Sequence, residues 1–72
     1  MSKATLNVFG DVLEVRWTGN VWEAPGTHRT FTSAKSAMRD ELRDYLSACG
    51  DDVDAEDTSA QIETLLTNIV VD

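Results

Sequence analysis

This 72-residue chain contains a single cysteine, a single histidine and a single proline. One cysteine leaves no internal disulfide, and with one histidine it falls short of an ordinary four-ligand zinc site. No glycine-rich phosphate loop, GxSxG or HExxH is present, so the familiar catalytic signatures are missing. No apolar run approaches the ~20 residues that a membrane-spanning helix needs. The opening Met1-Ser2-Lys3 lacks the apolar stretch of a secretory signal, which points to the cytoplasm. Positive charge is also scarce: six Lys and Arg stand against thirteen Asp and Glu, a formal net charge of −7. That balance disfavours direct binding to nucleic acid or to an anionic membrane. With 42% apolar and 26% charged residues the composition is that of a folded domain. Residues 1–72 have room for one small domain and no second core.

What the chain does have is clear periodicity. Residues 4–9 and 12–17 are β-rich runs around Gly10-Asp11, and glycine first in a two-residue loop is a hairpin signal. That turn pairs Val8 with Leu13, Leu6 with Val15 and Ala4 with Trp17 on an apolar face, and leaves Glu14 and Arg16 on a polar one. A second two-residue loop at Gly19-Asn20 sets Trp17 opposite Trp22, Val15 opposite Ala24, and Arg16 opposite Glu23 as an ion pair. A third strand follows at about 21–24. Pro25-Gly26 reads as a type II turn, and His28 to Phe31 as a short fourth strand with His28 exposed.

From residue 33 the period becomes helical. Thr32 or Ser33 can cap, and Ala34, Met38, Leu42, Tyr45, Leu46 and Cys49 form one apolar stripe. Gly50 stands where a glycine stops a helix. Asp51 to Asp57 reads as an acidic loop. Thr58 with Gln61 resembles a capping box for a second helix carrying Ile62, Leu65, Leu66, Ile69 and Val70. The β-branched tail Ile69-Val70-Val71 is equally compatible with a short strand. The expected fold is α+β: an antiparallel meander of three to four strands, one face covered by a long helix and a shorter C-terminal helix.

Few residues here could carry chemistry. Cys49 lies on the apolar stripe near a helix C-terminus, where the dipole disfavours a thiolate, so it is expected to be buried and inert. Asp52, Asp54, Glu56 and Glu63 match positions 1, 3, 5 and 12 of an EF-hand loop, but Asp57 occupies the place of the obligatory glycine. The expected reading is an acidic loop without a metal or other cofactor, and no enzyme. Lys35, Arg39 and Arg43 form a basic stripe, with Asp40 and Arg43 placed as a helix ion pair, and this reads as a solvated face.

Charge position is more informative than charge total. Residues 1–49 hold all six bases and six acids, so the whole −7 lies in residues 50–72. Asp51, Asp52, Asp54, Glu56 and Asp57 are the candidate partner-binding residues, with Trp22 or Val71 as apolar anchors. The strand–strand–strand–helix order resembles the topology of HicB-like antitoxins and of double-stranded-RNA-binding modules. The size, acidity and lack of catalytic groups resemble small accessory proteins of phages and mobile elements, among them anti-restriction and anti-CRISPR inhibitors that present carboxylates in place of DNA phosphates. The functional expectation is therefore an interaction or inhibitor protein whose acidic segment meets a basic surface of another protein. The alternative is a HicB-antitoxin-like or small-subunit module that forms a homodimer.

Overall fold

The computed structural model describes residues 2–72. The chain runs β1 (Lys3–Val8), β2 (Asp11–Trp17), β3 (Trp22–Ala24), β4 (Arg29–Phe31), α1 (Ala34–Ala48), α2 (Glu56–Leu66) and β5 (Val70–Val71). The strands form one antiparallel sheet in the order β4-β3-β2-β1-β5, an α+β fold. The alternating pattern of the strands sends Ala4, Leu6, Val8, Val15 and Ala24 into the core, where they meet Ala37, Met38, Leu42 and Leu46 of α1 and Ile62 and Leu66 of α2. The opposite face of the sheet is uncovered and carries Lys3, Glu14 and Arg16.

The first hairpin turns one residue earlier than Gly10-Asp11. Phe9 and Gly10 are its central residues, with φ of 50° and 88°, and Val8 pairs with Asp11, Leu6 with Leu13 and Ala4 with Val15. Positive φ at both positions is the mirror-image turn that suits strand twist. For Phe9 it costs about 1–2 kcal/mol, because its Cβ crowds the following carbonyl. The pairing differs from the expected one by two residues, an even number, so every side chain keeps its face. Two contacts accompany the observed register: the Trp17 N–H donates to the Ser2 carbonyl at 3.0 Å, and Asp11 comes within reach of α1.

The second hairpin pairs as its side chains predict, Trp17 with Trp22 and Arg16 with Glu23. Arg16 nevertheless makes its ion pair with Glu14 on its own strand, at 3.1 Å, and not with Glu23. The two indole rings lie 5.6 Å apart and tilted by 52°, an attractive aromatic geometry. Trp22 packs against the core, whereas Trp17 is half-buried at the end of β2. The link to β4 is a four-residue loop and not a Pro25-Gly26 type II turn. His28 takes the positive φ of 60°, lies in the loop rather than in the strand, and donates its N–H to the Ala24 carbonyl at 2.8 Å. The Gly26 N–H donates to Glu41 Oε1 at 2.6 Å, and an added Cβ would lie 2.8 Å from that oxygen, so the glutamate side chain would have to shift.

Ser33 caps α1 by accepting from the Ser36 N–H. At the far end Gly50, with φ of 94°, closes a Schellman motif in which Gly50 N–H donates to Ser47 and Asp51 N–H to Leu46. Cys49 is exposed, contrary to the stripe reading. It lies one turn beyond Tyr45, itself only half-buried, and therefore past the end of the sheet that covers the stripe. The second helix begins at Glu56, before the Thr58 capping box, with Ala55 at the cap and no side-chain cap bond. Glu56 and Asp57 occupy its first turn, where the helix dipole favours acids. Ile69 and Val70 leave the helix. Val70 and Val71 form β5 beside β1, so the sheet has five strands.

Candidate interaction surface

The basic stripe of α1 is a clasp between helices. Arg39 grips Glu63 of α2 with both ends of its guanidinium, at 2.8 and 3.1 Å, and Lys35 approaches the same carboxylate at 3.9 Å. The hydrogen bonds from Arg39 hold the Glu63 carboxyl below its ordinary value and raise the guanidinium in return. Arg43 reaches Asp54 at 3.1 Å in place of the expected partner Asp40. Asp40 instead binds Arg29 at 3.1 Å and accepts from the Thr27 hydroxyl, which fastens the β3–β4 loop to the helix. Lys3 and Arg16 share Glu14 on the open face of the sheet.

All six basic side chains are thus engaged with carboxylates of the same chain, and four acids hold them: Glu14, Asp40, Asp54 and Glu63. The other nine of the thirteen acids have no cationic partner among the described residues. Three of these accept hydrogen bonds: Asp11 from Tyr45, Glu41 from Gly26, and Asp52 from the Asp54 N–H. Within the acidic segment the structure therefore divides the expected site residues. Asp54 and Asp52 have internal work, while Asp51, Glu56 and Asp57 are exposed and unpaired. Asp51 and Asp52 follow the C-terminus of α1, whose last turn contains no basic residue. A helix C-terminus carries partial negative charge, so the dipole of α1 disfavours acids there. Trp22 is half-buried and held by Trp17 and the core, which makes it a poor anchor; Val71 is 57% exposed on the sheet edge.

Sequence patterning missed the tip of the first hairpin. Among the described residues Phe9 and Val12 are the two most exposed large apolar side chains, at 68% and 64%. The Tyr45 hydroxyl donates to Asp11 Oδ2 at 2.8 Å and ties this tip to the last turn of α1. That bond pushes the phenol up to about 12. The available signal was Phe9 immediately before Gly10, since a Phe-Gly turn exposes its aromatic ring.

Two shallow clefts flank these features. One is lined by Ser2, Lys3, Glu14, Arg16 and Trp17, the other by Thr27, Arg29, Asp40, Arg43, Asp44, Ser47 and Val53. In the first, Lys3 and Arg16 share the single carboxylate of Glu14, and in the second Arg29 and Arg43 are paired with Asp40 and Asp54. The loop carrying His28 docks at Asp40 and Glu41, whereas Cys49 lies eight residues further on, about 12 Å along the helix axis. Among the described residues no three His, Cys, Asp or Glu side chains are gathered to hold a metal ion. Asp54 and Glu63, which the EF-hand spacing would bring to one ion, are instead turned to Arg43 and Arg39. No described helix is long and apolar enough to cross a membrane. Compared with known proteins, the chain matches no family model, no curated protein and no solved structure.

Proposed function

We propose that this is a non-enzymatic binding protein whose acidic segment, 51–57, meets a basic surface on another protein. One observation carries the reading: all six basic side chains are engaged by four carboxylates of the same chain, while the other nine acids have no cationic partner among the described residues, so the charge in excess at the surface is negative. The position of Asp51 at the negative end of α1 adds to it, because the helix dipole disfavours an acid there. Charge of one sign raises the rate and the specificity of encounter more than it raises affinity. Where the partner surface ordinarily holds nucleic acid, these carboxylates stand in place of phosphates, and occupancy by this chain is inhibitory.

The structure refines the variant that tests this. Neutralising all five acids would also release Arg43 from Asp54, so the test uses Asp51→Asn, Glu56→Gln and Asp57→Asn together. This variant should keep the parent fold, with a loss of about 0.3–1 kcal/mol for each of the two acids removed from the first turn of α2, and lose partner capture from the native host's lysate at low salt. Equal capture by parent and variant would refute the reading. A second reading, self-association through the sheet edge, is favoured by Val70 and Val71, which are 63% and 57% exposed on a strand with no lysine or proline guard. Sedimentation across a wide concentration range decides it, because a charge-driven complex weakens with salt and an apolar dimer does not.

A further inference from the structure

We infer that the uncovered face of the sheet is an interface between two copies of this chain, in which the cleft at Lys3 and Arg16 of each copy takes the Glu23 carboxylate of the other. The acidic segment belongs to the helical layer on the other side of the sheet and takes no part in this contact. The register places the residues. Arg16 stands directly across from Lys3 on one side and from Glu23 on the other, with Thr30 beyond Glu23. Glu14, two residues before Arg16, points to the same face.

Within one copy this row is left unsatisfied. Lys3 and Arg16 are like charges directly opposite each other, an unfavourable cross-strand pair. They share one carboxylate: Arg16 gives Glu14 only its Nε, at 3.1 Å, and Lys3 stays 3.8 Å away, beyond hydrogen-bond reach. The terminal nitrogens of Arg16 and the Lys3 ammonium have no hydrogen-bond partner among the described residues. Glu23 has no cationic partner among those residues either, although Arg16 is its cross-strand neighbour. Ser2, Lys3, Glu14, Arg16 and Trp17 line the cleft. Two cations around one carboxylate leave it the charge to take a second.

Symmetry decides the occupant. A two-fold axis between β2 and β3, parallel to the strands, sets Arg16 over Glu23 of the second copy and Glu23 over Arg16 of the second copy, so one contact is made twice. Sheets packed face to face lie ~10 Å apart, a gap that an arginine and a glutamate span together. This face also carries little of the repulsion between two acidic molecules. Lys3 and Arg16 stand there against Glu14, Glu23 and, at the margin, Asp72, whose N–H donates to the Lys3 carbonyl. That leaves the face one negative charge of the chain's seven, and the rest is screened over a Debye length of ~8 Å at physiological salt.

Charge reversal tests the contact. Sedimentation of the parent up to about 1 mM should show a monomer–dimer equilibrium that weakens with salt. Arg16→Glu and Glu23→Arg should each be monomeric, because each sets like charges against like. An equimolar mixture of the two should restore the dimer, since every contact in the mixed pair is again between opposite charges. NMR shifts of the parent on dilution should concentrate at Lys3, Arg16, Glu23 and Thr30, which tests the face without any variant. A parent that stays monomeric at about 1 mM overturns the inference. So does a mixture that stays monomeric while both variants melt as the parent does; if either melts far below the parent, the dilution shifts decide alone. A dimer that both reversals leave intact, or dilution shifts at Val70 and Val71 instead, assigns self-association to the sheet edge and overturns it as well.

Discussion

The Tyr45 phenol and the Asp11 carboxylate meet across 34 residues of chain, which makes this single bond a test of how the hairpin tip is held. The folded phenol titrates at about 12 instead of 10.0, mainly because its hydroxyl donates to Asp11. Below pH 10 both folded and unfolded chains keep the proton, and the stabilisation is fully present. Between pH 10 and 12 the unfolded chain loses its proton first, so stability falls as the pH rises through that window. Thermal melts should therefore decline more steeply from pH 10 to 12 for the parent than for Tyr45→Phe, with parallel curves at lower pH. A parallel decline above pH 10 would show that the bond is absent in solution. At this scale the sequence was an incomplete guide. Tyr45 looked like one more member of an apolar stripe, because a phenol's partner on a distant turn leaves no periodic mark.

Among the elements, α1 is the best specified, since its stripe, its Ser33 cap and its Gly50 stop all agree locally. Gly50→Ala isolates one of these terms. Nothing lies within 4 Å of the added methyl, so the cost is the left-handed backbone alone, about 1 kcal/mol. Denaturant titration should show that loss with an unchanged slope, because no buried surface is altered. The second hairpin was legible because only one register aligns both Trp17 with Trp22 and Arg16 with Glu23. The first was not, because turns at Phe9-Gly10 and Gly10-Asp11 sort the same side chains to the same faces. Strand β5 was ambiguous for another reason: two valines after a helix carry no period, and their pairing with Ala4 and Thr5 is entirely tertiary. The α2 start was misplaced because Glu56 and Asp57 suit the first turn as well as they suit a loop.

At the scale of the molecule, the core among the described residues consists of eleven buried side chains, and no buried polar group among those residues interrupts it. Leu42 lies among them with no exposed surface. Leu42→Ala should cost about 2–5 kcal/mol. Domains of this size lie toward the low end of about 5–15 kcal/mol of total stability, so the variant should be largely unfolded at 37 °C. Circular dichroism at that temperature checks this, and a shift of melting temperature by only a degree or two would mean the stripe is not the core. The charge asymmetry was plain in the sequence. Which acids remain free was not, because that depends on Arg39 and Arg43 reaching across to Glu63 and Asp54.

The two residues of β5 also set an order of events. Their pairing joins Thr5 to Val70 across nearly the whole chain, and the Asp72 N–H donates to the Lys3 carbonyl at 2.8 Å. As the chain leaves the ribosome, β1 and β2 find each other early through a two-residue turn, while the other side of β1 stays open until residue 70 emerges. Until then β1 is an unguarded edge six residues long, and β5 covers only its Lys3–Thr5 half.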